Sequence, residues 1–397
     1  MGTPRRSVAV SFLGAAGLAL VSCAQPQPAA IPTAPAAVAK AAIVLATSLP
    51  AATSARVLLT PAPTVAAAPT QEPPPEPAPS PSRSLFDLQP GETLELLEDI
   101  PIARTDFGVR VTFSPDGEVL LHNGNGMRIE RFSLSRAQPQ LDLTGFDLFA
   151  PFSISVSPDG SAVVADDGPM FQVWRSDTGE QVASLALAQF SLVANAGFNL
   201  NGFFYAVDSD GNVATWDPNG WGEISRFNHP GLIDAAVLFP DGSAIALQDR
   251  RQQEIGIFDL QGTRLGTVPV HRENDLLLSI SPAGDRFLLH VDYGYPTEGI
   301  RIVDVATGEA LLDLPLLNFR QFAVSTDWRL LAAVGVQNEL HLYRLPEGQL
   351  LLAQPLEVAR TLGISMSGDA AYLAFYVFKS GNAGPAIQVW GRGSDGP

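Results

Sequence analysis

The sequence predicts an all-β fold, a seven-bladed β-propeller closed by an N-terminal strand, and three observations predict it. A Pro-Asp-Gly turn, or a degenerate copy of one, recurs at intervals of 40 to 44 residues between Gly117 and Gly368. Each interval holds four short apolar or alternating runs divided by turn residues. The last interval is one run short, and a run of matching character precedes the first. A sustained period of about 40 residues with four strands per unit is the pattern of blades arranged round an axis.

The clear turns are Phe113-Ser114-Pro115-Asp116-Gly117, Val156-Ser157-Pro158-Asp159-Gly160, Phe239-Pro240-Asp241-Gly242 and Ile280-Ser281-Pro282-Ala283-Gly284. The weaker ones are Asn199-Leu200-Asn201-Gly202, Ser325-Thr326-Asp327-Trp328 and Ser365-Met366-Ser367-Gly368. Pro presets φ and Gly accepts positive φ, so the motif suits a tight turn between two strands. One strand precedes each turn, as in Phe152 to Val156, and a second follows it, as in Ala162 to Ala165. A third ends in a bulky residue, as in Val173-Trp174, Thr215-Trp216, Ile257-Phe258 and Val389-Trp390. A turn such as Thr178-Gly179-Glu180 opens the fourth. After Trp390 only Gly391 to Pro397 remain, whereas Gly91-Glu92-Thr93-Leu94-Glu95-Leu96-Leu97 reads like Gly308-Glu309-Ala310-Leu311-Leu312. Thr93 to Ile100 are therefore expected to form the outer strand of the last blade, which removes an open sheet edge. Residues up to Gln89 are expected to be dispensable for folding.

Ile302-Val303-Asp304-Val305-Ala306-Thr307-Gly308-Glu309 resembles the third strand and turn of WD40-type propellers. The resemblance runs from about Thr93 to Trp390 and implies a divergent bacterial WD40-like or TolB/lactonase-like seven-bladed propeller. The family's Gly-His dipeptide is missing, and His229-Pro230-Gly231 only echoes it. That removes the basis for the family's His-to-Asp hydrogen-bond network.

Ahead of the repeats, residues 1–22 follow the plan of an export signal: Arg5 and Arg6, an apolar run from Ser7 to Leu18, then Leu20-Val21-Ser22-Cys23. The apolar run is shorter than the roughly 20 residues a membrane span requires. The last four residues resemble the bacterial lipobox, which implies a diacylglycerol on the Cys23 thiol and cleavage before it. Cys23 is the sole cysteine, so no internal disulfide framework exists. Ala24 after it implies, by resemblance to enterobacterial sorting, the outer membrane in a Gram-negative host. From Cys23 to Ser84 the chain is rich in Ala, Pro, Thr and Ser, including QEPPPEPAPSPS from Gln71 to Ser82. Proline removes donors and favours extended polyproline II, so a disordered tether is expected. The expected organisation is a signal peptide (1–22), a lipidated cysteine and linker (23–84) and a propeller (85–397).

Chemistry is sparse. A net charge of −17 repels a phosphate backbone, which disfavours nucleic acid as a partner. No P-loop, dinucleotide fingerprint, Gly-x-Ser-x-Gly elbow or His-Glu-x-x-His occurs. Of the five histidines, His290 and His341 fall within expected strands, and His229 and His271 fall in loops from an outer strand to the next inner one. Convergence of those two with Asp166 or Asp292 would be needed for a metal site, and the spacing does not show it. Asp208-Ser209-Asp210-Gly211-Asn212 lacks the full calcium ligand series and reads as a hairpin turn. No catalytic residue, metal or cofactor is expected.

The outer-to-inner loops open on one face, here termed the top. They carry Phe107, Phe146, Phe149, Phe190, His229, His271, Arg272, Phe319 and Arg320, and a long loop between second and third strands adds Tyr293 and Tyr295. Each Phe taken alone reads as a plug between blades. As a group with Arg and Tyr they match the composition of binding surfaces and form the candidate binding face. The expected function is a monomeric, lipid-anchored cell-envelope binding or scaffold protein with a protein partner. Two other readings stay open: a lactonase-type hydrolase with a metal in the central channel, and a carbohydrate or small-ligand sensor.

Overall fold

In a computed structural model the described residues are 84–89, 91–103, 109–146, 153–168, 170–187, 193–249, 251–270, 275–294, 297–317, 319–381 and 383–393, without the side chains at 292–294, 297, 316, 317 and 320. The signal, Cys23 and the linker as far as Arg83 lie outside them.

The described residues form seven antiparallel sheets of four strands. Blade 3 shows the pattern, with Val193–Phe198, Phe204–Asp208, Asn212–Asp217 and Gly222–Asn228 running from the channel outward. Second strands such as Ala162–Asp167, Phe204–Asp208 and Ala244–Asp249 are buried at every position. Neighbouring blades cover both faces of these strands, so they read as continuous apolar runs rather than alternating ones. Outer strands alternate. Their register shifts by one residue beside the bulky end of the third strand, at Val182, Ile224, Leu265 and Leu311. A bulge there turns the extra side chain outward, and these four are 42 to 60% exposed.

The first-to-second turns repeat one hydrogen-bond device. Ser157 Oγ donates to Asp159 Oδ1 (2.6 Å) and accepts from the Ala162 amide (2.9 Å), while Asp159 Oδ1 accepts from the Ser161 amide (3.0 Å). The same hydroxyl-to-carboxylate bond joins Ser114 to Asp116, Ser281 to Asp285, Ser325 to Asp327 and Ser367 to Asp369. The last pair corrects the expected repeat. The seventh turn is Ser367-Gly368-Asp369-Ala370, two residues beyond the copy read from sequence, with Ala370 in the left-handed region at φ 53°. Asp208-Ser209-Asp210-Gly211-Asn212 is a hairpin turn, in which the Asp208 carboxylate accepts from the amides of Asp210 and Asn212.

The ring closes as expected. Glu95–Pro101 pairs antiparallel with Pro385–Gly391, with Leu96 opposite Trp390 and Ile100 opposite Ile387. The segment before it is packed on the ring, whereas the sequence reading took the residues up to Gln89 as tether. A single 3-10 turn at Leu85–Asp87 is capped by Ser84 Oγ, which accepts from the Phe86 amide. Leu85 is fully buried, and its amide donates to Ala370 O (2.8 Å). Leu88 and Leu94 share its cluster with Leu340, Leu342, Leu373 and Phe375 of the sixth and seventh blades.

Side-chain amides bridge other seams. Gln248 donates to Asp275 O and accepts from the Leu277 amide, and Asn338 donates to Val358 O and accepts from the Thr361 amide. The fifth blade departs from the expected long loop. Its strands Arg286–Gly294 and Thr297–Asp304 extend until Gly294 faces Thr297, so Tyr293 lies within a strand.

Candidate functional site

Two surfaces follow from this topology. The top carries the fourth-to-first loops and the second-to-third turns; the bottom carries the first-to-second and third-to-fourth turns.

On the top, Phe107, Phe149, Phe190, His271, Arg272 and Tyr295 lie outside the described residues, and the side chains of Tyr293 and Arg320 are not described. Phe146 and Phe319 are corrections to the candidate face. Phe146 is 7% exposed and packs on Trp174 with ring centroids 5.0 Å apart; Phe319 is 5% exposed and lies 4.7 Å from the His341 ring. Each fills the seam between blades, where a flat ring buries more apolar area than it would at the loop surface. That leaves His229, half-buried, as the one expected binding residue whose side chain is described on this face. Its amide donates to Gly211 O (2.8 Å), and its Nε2 lies 3.7 Å from Asp249 Oδ2, too long for a hydrogen bond. A Cβ at Gly211 would stand 1.9 Å from His229 O and one at Gly231 2.2 Å from Asp249 Oδ2, so both glycines permit this tight corner.

The polar groups near the top of the second strands serve the fold. Asp166 Oδ1 accepts from the Ser153 amide and hydroxyl, which occupies one of the carboxylates considered for a metal. His122 is 1% exposed, and its Nδ1 accepts from the Gly124 amide (3.2 Å). Burial lowers its pKa from 6.5 to about 4, against the opposing pull of Glu130. His290 and His341 sit within strands as expected, His290 beside Glu298 (3.2 Å) and His341 Nδ1 beside the Tyr343 hydroxyl (3.0 Å). Among the described residues no group of three or more His, Cys, Asp or Glu is arranged to hold a metal ion.

The bottom holds two adjoining hollows that the sequence reading did not identify. A groove of about 320 Å³ between the fifth and sixth blades is lined by Pro282, Asp285, Arg286, Trp328, Arg329 and Pro346, among others. A second hollow, about 240 Å³, lies where the inner strands approach the channel, lined by Phe198, Tyr205, Leu238, Ile280, Val324 and Trp328 among others. Trp328 and Pro282 belong to both. The available signal was Trp328 itself, standing where most of the other turns carry Gly.

No family model matches the chain, and no curated protein matches it by sequence. Solved structures do. The β-propeller domain of Cps50 (Swd1) from Myceliophteria thermophila superposes with a TM-score of 0.58 at 15% identity, covering 75% of this chain and 99% of that one. Kuenenia stuttgartiensis hydrazine synthase gives a TM-score of 0.56 at 12% identity, covering 75% of this chain and 97% of that one. At such identities the likeness establishes the fold: this chain carries a seven-bladed β-propeller.

Proposed function

We propose that this is a lipid-anchored cell-envelope protein, held to a membrane through Cys23, whose propeller acts as a binding or scaffold module for a protein partner. The observation that best supports this reading is the position of the two chain ends of the ring. Arg392 donates to Ser84 O (3.4 Å) and pairs with Glu92 (3.0 Å), so the chain enters and leaves at the bottom of the sixth and seventh blades. The fourth-to-first loops lie on the opposite face from the entering chain. A rigid ring presented in this way suits capture of a partner by its loops. The likeness to other propellers is compatible with such a role and identifies no partner. The acidic balance of −17 favours protein over nucleic acid.

The test is in-cell crosslinking in the native host, with partners identified by mass spectrometry, on the wild type and on Cys23→Ser. The wild type is expected in the membrane fraction with a reproducible envelope partner crosslinked through the fourth-to-first loops. Cys23→Ser is expected in the soluble fraction with that partner depleted. Retention of Cys23→Ser on salt-washed membranes would defeat the anchor assignment.

A further inference from the structure

The fourth residue of the first-to-second turn adopts positive φ in every blade, Ala370 in the seventh. It is Gly117, Gly160, Gly202, Gly242 and Gly284 in the first five, at φ between 72° and 85°. In the sixth blade it is Trp328, at φ 60°. This conformation is unfavourable for an L-residue and free for glycine, and such outliers persist where their surroundings over-determine them. Here the indole Nε1 donates to Ser279 Oγ of the fifth blade (3.1 Å), which pins the ring across the seam. The ring therefore has its donor used, and it borders both hollows of the bottom face.

Four charged groups line the larger hollow with it. Asp285 Oδ1 accepts from Ser281 Oγ (2.7 Å) and Asp327 Oδ1 from Ser325 Oγ (2.7 Å), so each carboxylate is fixed by one oxygen. Their second oxygens stand 3.6 Å from Arg286 Nε and 3.9 Å from Arg329 Nη1, beyond hydrogen-bond length. Arg329 is held from behind by the Phe86 ring, 4.1 Å away. The groove thus offers two planar acceptors and two planar donors of zero net charge, and Trp328 lines it with them.

We propose that this groove binds a neutral glycan, one pyranose ring lying on Trp328. The electron-rich face of an indole attracts the weakly positive C–H edge of a sugar, and paired hydroxyls match carboxylate and guanidinium edges in bidentate fashion. The volume lies at the small end of ligand pockets, roughly 300–1,000 Å³. Zero net charge at the rim gives an ionic ligand no advantage. The chain's own proline-rich segment, residues 71–82, is the competing occupant. The described chain enters beside the groove, Phe86 lying on Arg329, so the peptide arm of the test separates the two occupants. The site stands independently of the protein-scaffold reading, since it occupies the other face.

The test is calorimetric titration of the purified full chain with maltohexaose, cellohexaose and chitohexaose, and with a synthetic peptide of residues 71–82. At least one hexasaccharide is expected to bind saturably in the millimolar range or tighter. Trp328→Gly trades the positive φ against the ring's packing on the fifth and sixth blades and its bond to Ser279 Oγ, so a cooperative melt checks that it folds, while sugar affinity should fall by about tenfold or more. Arg286→Ala, an exposed change, should weaken the same sugar and leave the melting temperature unchanged. Failure of all three sugars to bind, or binding that neither variant weakens, overturns the proposal. Saturable binding of the peptide that Trp328→Gly abolishes, in place of sugar binding, overturns it in favour of self-docking.

Discussion

Single residues carry two separable contributions in this ring. The Ser-x-Asp turn satisfies a buried amide: Ala162 N donates to Ser157 Oγ, and Ala162 itself is buried. Ser157→Ala leaves that donor without a partner and should cost about 1–3 kcal/mol in urea unfolding. The Ser157 hydroxyl, with the Ser161 amide, also holds the Asp159 carboxyl below its ordinary value, so the variant should lose less stability on acidification at the lowest pH. His122 acts in a different window. Its folded pKa of about 4 lies below the unfolded value of 6.5, so the fold favours the neutral ring. That contribution is complete above pH 6.5 and is lost as pH falls from 6.5 through 4. The gap corresponds to something on the order of 3 kcal/mol. His122→Asn keeps an acceptor near Gly124 N and cannot titrate. The decline in melting temperature between those pH values should therefore be shallower in the variant. Parallel curves would mean that His122 is not the buried neutral group described here.

At the scale of elements, the closing strand and the wedge before it make distinct demands. A chain beginning at Ser84 should melt like the full-length protein. One beginning at Gly91 loses Leu85, Phe86 and Leu88; at about 2–5 kcal/mol for each buried leucine, the loss should be visible as a lower denaturant midpoint. A chain beginning at Thr105 also loses Glu95–Pro101 and exposes the edge of Pro385–Gly391, and aggregation is expected. Light scattering and thermal melts of the three, compared directly, check this order; equal melting of the first two would mean that the wedge is ornamental. The closing strand was legible in the sequence because the last repeat is one run short and period-two patterning survives in Leu94, Leu96 and Ile100. The wedge was not, because Leu85 and Leu88 follow a proline-rich stretch and carry no repeat pattern. Phe146 and Phe319 were misread for a related reason: an aromatic at a strand-to-strand corner looks the same whether it faces solvent or the next blade. Trp328 was visible only as a damaged copy of a turn, since sequence does not state which φ a residue adopts.

The whole molecule joins a ring of blades, each packed on its neighbours, to a long N-terminal segment of different composition. Among the described residues the ring holds this segment from Ser84, whose carbonyl accepts from Arg392, and Leu85, which is fully buried and bonded to Ala370 O. Upstream, residues 24–84 contain few large apolar groups to offset the entropy of ordering. They also contain Lys40, Arg56 and Arg83, three points of tryptic attack. Trypsin applied to membranes from the native host should therefore cut first at Lys40 and Arg56. Arg83 should follow more slowly, because Arg392 holds the next carbonyl, that of Ser84. The product should be a folded ring beginning between Val57 and Ser84. If Cys23 is the sole attachment, that ring should leave the membrane in one piece as cleavage proceeds, at low salt and without detergent. Exposed aliphatics at the bulges do not predict otherwise, since Val182, Ile224, Leu265 and Leu311 stand singly around the rim rather than in one patch. A ring that is cut free of residues 24–56 yet stays with the membrane would show that the propeller grips a membrane component through its own surface, and the lipid would then be one of two attachments.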